Sequence, residues 1–291
     1  MNDTVTWHRL TARLRGLIVL MRPRHWIKNG FVLGPLLFSG TFIYTSAIGQ
    51  ALLAFTLFCL ASSATYIVND IRDIEHDRHH PKKSRTRPLA AGTVPIPMAI
   101  TLLILLYGLL VWGWFIAPSV MKVIIAYLLL NVAYTFFLKH QPVVDIFTIA
   151  IGFVLRVYAG AVALAVPLSH WMFVTTLCLA LYLAAVKRRQ ELRQNSVEGR
   201  EVLKKYSVAL IDRYAGMTAT GALIFYSLFV TSAKPQLIMT VPLVLFGLFR
   251  YWYVVEEREE VESPTEALLV DWQLLVTVAL WAGCCIVALW P

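Results

Sequence analysis

The chain is built as long apolar runs separated by short polar breaks. The runs cover roughly 26–45, 47–69, 94–116, 119–138, 143–166, 171–187, 207–231, 237–255 and 267–290. Each is close to the twenty or so residues that a helix needs to cross a hydrocarbon core, so nine transmembrane helices are predicted. Pro118, Pro142, Pro167 and Pro235 mark turns between them, because proline lacks the N–H that continues a helix. Ahead of the runs, 6–24 sets Arg9, Arg13, Arg15, Arg22 and Arg24 around Leu10, Leu14, Leu17 and Leu20. That pattern predicts a basic amphipathic helix lying on an anionic leaflet. The expected organisation is an N-terminal arm over 1–25 and one transmembrane catalytic domain over 26–291. No cleavable signal peptide is expected, since the apolar run at 17–21 is too short and the Arg-Pro-Arg after it is no cleavage site.

Composition fixes the solvent. Hydrophobic residues are 58% of the chain and charged residues only 15%, with a mean hydropathy of +0.67, which excludes an ordinary soluble domain and leaves an all-α integral membrane protein. Nine Trp and twelve Tyr suffice for interfacial belts, and Trp26, Tyr44, Trp171 and Trp290 stand near predicted helix ends. Cysteines 59, 178, 284 and 285 lie inside apolar runs without zinc or disulfide spacing, and read as small core residues.

Charge sets the expected orientation. Lys and Arg gather in the arm, in 70–93, at Lys139, in 187–205 and at Arg250 and Arg258, while the opposite connections keep only Lys122 and Lys234. The positive-inside rule therefore predicts a cytoplasmic amino terminus in the plasma (inner) membrane, with both long basic loops on the cytoplasmic side and the carboxyl terminus outside. The two loops follow the second and sixth runs, four helices apart as a pseudo-repeat would place them, although no sequence repeat is visible.

The polar residues carry the chemistry. If the second helix continues through Asn69-Asp70-Ile71-Arg72-Asp73-Ile74-Glu75-His76-Asp77, Asn69, Asp73 and Asp77 share one face at i, i+4 and i+8. Magnesium takes one or two carboxylates and completes its shell with water and phosphate oxygens, so this ladder, followed by Arg85 and Arg87, suits a diphosphate. A solvated helix end would be the bland alternative, but ionisable groups at a membrane boundary are seldom placed without function. His76, His79 and His80 have hard carboxylates for neighbours and no cysteine, which disfavours zinc. The second loop opens with Lys187-Arg188-Arg189-Gln190-Glu191, where Lys187 and Glu191 could form a plain i, i+4 ion pair. Asp145 and Arg156, three turns apart on the fifth helix, are expected to line a cavity or to pair between helices. Asp212, Arg213 and Asp271 are weaker candidates, Tyr134 is read as a phosphate ligand or a belt residue, and Glu256, Glu257, Glu259 and Glu260 as a solvated charge run.

Asn69-Asp-x-x-Asp-x-x-x-Asp77 followed by Arg87-Pro-Leu-Ala-Ala-Gly92 in a nine-helix chain resembles the UbiA superfamily of intramembrane prenyltransferases. Arg22-Pro-Arg-His-Trp-Ile-Lys28-Asn29, Tyr134-x-x-x-x-Lys139-His140, Asp145, Gly152-Phe-x-Leu-Arg156 and Lys187-Arg188-x-x-Glu191 resemble its decaprenyl-phosphate phosphoribosyltransferase branch. The likeness covers about 15–215. Ordinary members carry a second Asp-x-x-x-Asp where this chain has Lys187 to Glu191, and a cationic segment suits direct phosphate binding better than chelation. The resemblance implies a UbiA-type bundle and Mg2+-dependent transfer of 5-phosphoribose from phosphoribosyl diphosphate to a polyprenyl phosphate, releasing diphosphate, in cell-envelope biosynthesis. Asn69, Asp73 and Asp77, with Asp70, would hold the metal; Lys28, Arg85, Arg87, Tyr134, Lys139, Asp145, Arg156, Lys187, Arg188 and Glu191 would meet substrate. The implied partners are the two substrates and the membrane, with a homo-oligomer left open and no nucleic acid. The rival readings are transfer of an isoprenyl group from its diphosphate to an aromatic acceptor, and a transporter, which has no evident use for the carboxylate ladder.

Overall fold

The computed structural model describes residues 2–79, 83–193, 201–258 and 264–290, with side chains from 11 onward except at 201, 264 and 265. His80, Lys82, Arg200, Glu259 and Glu260, and the side chains of Arg9 and Leu10, fall outside the described residues. Every element among those described is helical: α1 (Asn2–Met21), α2 (Gly34–Ser39), α3 (Thr45–Arg72), α4 (Ile74–His79), α5 (Lys83–Thr86), α6 (Ile96–Ile116), α7 (Pro118–Phe136), α8 (Val144–Ala163), α9 (His170–Arg193), α10 (Val208–Ala233), α11 (Val241–Glu257), α12 (Pro264–Val270) and α13 (Trp272–Ala288). Tighter 3-10 turns occupy Pro23–Leu33, Thr41–Ile43, Leu138–His140, Glu201–Lys205 and Pro235–Thr240.

Seven of the predicted runs are helices long and apolar enough to cross a membrane: α3, α6, α7, α8, α9, α10 and Pro235–Glu257. This is a multi-pass membrane protein. The first and last runs are broken. The first is a 3-10 segment, Pro23–Leu33, then the six-residue α2, which ends at Gly40 with φ +75°. Pro23 and Pro35 remove backbone donors, and the segment presses on α8 so closely that a Cβ at Gly160 would stand 1.9 Å from the Val32 carbonyl oxygen. The last run is split by Asp271, whose carboxylate caps α13 by accepting the Leu274 N–H at 2.8 Å.

Two halves pack on α8. In one, Ala54, Leu57, Phe58 and Ala61 of α3 meet Val120, Ile124 and Tyr127 of α7 and Ala159 of α8. In the other, Ile146, Ala150 and Phe153 of α8 meet Ala180, Leu181 and Ala184 of α9, Ile211 and Ala215 of α10 and Tyr251 of α11. Helix α1 is tethered to the first half through Leu20, which packs with Ala64 and Ile67 of α3 and Leu106 of α6. Its outer face leaves Leu14, Ile18 and Val19 exposed, a face suited to lipid. Cys59 and Cys285 are buried as expected, whereas Cys284 is exposed.

Candidate active site

The α3, α7, α9 and α11 C-termini and the α8 and α10 N-termini gather at one end of the bundle, and hydrogen bonds tie their polar residues into two connected clusters. In the first, α3 stops at Arg72, and Asp73 is its C-cap with φ −93° and ψ 10°. The expected unbroken helical ladder is therefore interrupted. The i, i+4 backbone bonds nevertheless continue, Asp73 N–H to Asn69 O at 2.9 Å and Asp77 N–H to Asp73 O at 2.8 Å, which keeps the three residues about one helical turn apart.

Asp70 and Asp77 are both buried, and one guanidinium serves them both. Arg87 Nη1 donates to Asp70 Oδ1 at 2.6 Å and to Asp77 Oδ2 at 2.7 Å. Arg22 Nη2 donates to the same Asp70 oxygen at 2.6 Å, and Lys83 Nζ lies 3.7 Å from Asp77 Oδ1. Arg22 holds this pose from a left-handed backbone, φ 54°, over the Tyr66 ring at 4.7 Å. Sequence reasoning placed Arg22 in the surface arm and in the Arg22 to Asn29 motif without a site role; the Pro after it, which biases the preceding residue away from helix, is the signal that it ends α1. The Asn69 carboxamide oxygen accepts from the Thr135 hydroxyl at 3.1 Å, and Arg72 Nη1 donates to the Thr135 carbonyl at 2.7 Å, joining α3 to α7.

The second cluster centres on Arg188, which is fully buried. Its Nε donates to Asp145 Oδ2 at 2.6 Å, its Nη2 to the Tyr134 hydroxyl at 2.8 Å and its Nη1 to Glu191. Tyr206 donates its hydroxyl to the other Asp145 oxygen at 2.7 Å. Arg189 pairs with Asp212 and, at 2.7 Å, with Glu256, which also takes Arg193 at 2.6 Å. Glu256, exposed as a member of the acidic run, is thus also an interhelical partner. Arg188 and Arg189 are compensated by acids from α8, α10 and α11, while Lys187 keeps its head about one-third exposed, 3.8 Å from Glu191.

Asp145 and Arg156 do not share a partner. Arg156 gives Nε to Asn29 Oδ1 at 2.8 Å, Nη1 to the Gly152 carbonyl at 2.8 Å and Nη2 to the Tyr127 hydroxyl at 3.1 Å. Asn29 in turn donates to Ser62 Oγ at 3.1 Å. In place of an open cavity lining, Arg156 is an internal brace holding the broken first run against α3, α7 and α8, because only internal acceptors can satisfy a buried guanidinium there. Asp271 is likewise structural, paired by Arg250 Nε and Nη2 at 3.0 and 2.7 Å. Lys28 lies on the 3-10 segment, with Nζ 3.4 Å from His25 Nδ1, and the charges acting on it are those of Lys187, Arg156 and Arg22, opposed by Glu266. Lys139 occupies the turn after α7, and Arg85 is exposed on α5.

Among the described residues no three His, Cys, Asp or Glu side chains form a ready-made metal cage. Magnesium does not require one. The Asn69, Asp73 and Asp77 donors are all hard oxygens, and the ion fills its remaining positions with substrate phosphate and water, so the donor chemistry fits, with Arg87 and Lys83 as the cations that Asp77 would share with the metal.

The chain is similar to known proteins over most of its length. A decaprenyl-phosphate phosphoribosyltransferase of Mycolicibacterium smegmatis is 35% identical over 92% of this chain and 90% of its own length. One of Corynebacterium glutamicum is 33% identical over 94% and 87%. In solved structures, a UbiA homologue from Archaeoglobus fulgidus bound to GPP and Mg2+ superposes with a TM-score of 0.71 at 16% identity, over 94% of this chain and 99% of that one. The sequence profile of the UbiA prenyltransferase family matches residues 32–270, and the chain belongs to that family.

Proposed function

We propose that the protein transfers 5-phosphoribose from phosphoribosyl diphosphate to a polyprenyl phosphate. The observation that carries this reading is the near full-length likeness to two decaprenyl-phosphate phosphoribosyltransferases. The geometry at the end of α9 supports it, because Glu191 is engaged by Arg188 and Lys187 where a prenyl-diphosphate enzyme of the family would offer a second pair of metal-binding aspartates.

In the reaction, ribose C1 loses its bond to a diphosphate oxygen, whose electron pair departs with the diphosphate, and gains a bond to an oxygen of the lipid phosphate. The nucleophile is already anionic, so no strong general base is required. The difficulty is charge, since two phosphate-bearing substrates meet at a carbocation-like carbon. Lys28, Lys139, Lys187 and Arg85 lower that repulsion by contacting phosphate oxygens. Arg22 and Arg87 hold Asp70 and Asp77 in position, and Arg188 fixes Tyr134 and Glu191 at the mouth. Asn69, Asp73 and Asp77 would hold magnesium, which would supply charge neutralisation for the leaving diphosphate.

The crossings number nine on this reading, the broken first run and the last run with α13 joining the seven continuous ones, and the basic end faces the cytoplasm of an inner (plasma) membrane. The 1–25 arm rests on that leaflet and 26–291 forms the catalytic unit. Purified protein given labelled phosphoribosyl diphosphate and a polyprenyl phosphate should form a labelled lipid only with magnesium. Isoprenyl transfer to an aromatic acid, with no use of phosphoribosyl diphosphate, would replace this reading with the prenyltransferase one.

A further inference from the structure

The turn entering α8, like Arg22, carries a non-glycine residue of positive φ. Val143 has φ 69° and ψ −48°, a region that β-branched residues rarely occupy and that persists only where surrounding contacts hold it. What holds it is visible. The Val143 N–H donates to the Tyr206 hydroxyl, and that hydroxyl donates onward to Asp145 Oδ1 at 2.7 Å. Asp145 is fully buried and has its second oxygen on Arg188 Nε.

We infer that Tyr206 is a positioning residue, whose single hydroxyl clamps the strained α8 entry and aims Asp145 so that Arg188 holds Tyr134 and Glu191 for substrate. Tyr206 arrives from the Glu201–Lys205 turn ahead of α10, far in sequence from both residues it bonds, and its ring is buried with Val202 and Leu203 in the second half of the bundle. An oxygen that accepts from a backbone amide and donates to a carboxylate fixes both groups at once, which a phenylalanine cannot do. Burial, followed by the bond to Asp145, raises the phenol above its ordinary range, so it keeps the proton that it gives.

This role rests on the proposed transfer reaction for its readout, and a double-mutant cycle separates the two. Tyr206→Phe should leave the thermal midpoint in detergent within a few degrees of the unmodified enzyme yet lower kcat/KM roughly tenfold, the usual cost of losing a hydrogen bond to a charged group. In an Arg188→Lys background, the same change should add little, because the guanidinium it aims is gone. Full activity in Tyr206→Phe, an activity loss matched by unfolding, or an undiminished effect in the Arg188→Lys background would each overturn the inference. If the unmodified enzyme used an isoprenyl diphosphate and no phosphoribosyl diphosphate, the functional reading would fail, and the same cycle, run on that substrate, would still decide the role of Tyr206.

Discussion

At the scale of single residues, the site divides into side chains that meet substrate and side chains that hold others still. Asp73 is half-buried at the α3 terminus, and Asp77 is buried between Arg87 and Lys83. Asp73→Ala and Asp77→Ala should both abolish turnover, since removing a magnesium ligand withdraws several kcal/mol from the leaving group. Asp73→Ala should leave the thermal midpoint unchanged and Asp77→Ala should lower it, because only the second takes a buried carboxylate away from Arg87 and Lys83. Retained magnesium-dependent activity in either variant contradicts the metal assignment. Lys187→Ala, which removes an ammonium that is about one-third exposed, should weaken kcat/KM by about tenfold with little change in stability. Arg156→Ala is expected to behave in the opposite sense. It strands Asn29, Gly152 and Tyr127 acceptors and costs about 3 kcal/mol, seen as a lower unfolding midpoint in detergent; an unaltered midpoint would remove its role as a brace.

At the scale of elements, the first run shows how a sequence that looks like a spanning helix becomes something else. Between Pro23 and Gly40 the backbone changes from 3-10 to α and stops in a left-handed glycine, and it does so while lying directly on α8. Gly160 permits that contact: any side chain there would meet the Val32 carbonyl. Gly160→Val should therefore separate the first run from α8 and cost about 3 kcal/mol or more, at the upper end of overpacking penalties, because a backbone oxygen cannot swing aside as a side chain can. Reduced thermal stability together with lost activity is the expected result, and an active, stable Gly160→Val enzyme would show that the contact is dispensable. Gly16 plays a smaller part of the same kind, with the Val94 side chain 2.5 Å from where its Cβ would be.

At the scale of the whole molecule, one end of the bundle holds nearly all of the charge. Arg22, Arg72, Arg87, Arg188 and Arg189 all engage partners there, while Lys122 and Lys234 stand at the start of α7 and the end of α10. A thiol introduced as Ser84→Cys should react with a membrane-impermeant maleimide only after cells are opened, relative to the unmodified enzyme as control. Labelling in intact cells would reverse the orientation. Chelation of divalent ions should stop transfer and magnesium should restore it.

The membrane class, seven continuous helices and the identity of the acidic and basic segments were legible in the sequence, because hydropathy and local spacing are properties of consecutive residues. Asn69, Asp73 and Asp77 are one turn apart on the chain, so their i, i+4 backbone bonds survive even the break after Arg72. What only the tertiary structure decided is which charge meets which. Asp145 and Arg156 lie three turns apart on one helix, and the sequence left open whether they line a cavity or pair between helices; one is held by Arg188 and Tyr206 and the other by Asn29, residues 43, 61 and 127 positions away. Arg87 bridges Asp70 and Asp77, and Tyr206 carries no local motif at all. In a low-dielectric interior every buried donor must find an acceptor, and the acceptor is chosen by how the helices pack. Pairing across helices is therefore written in the three-dimensional arrangement and not in any window of the chain.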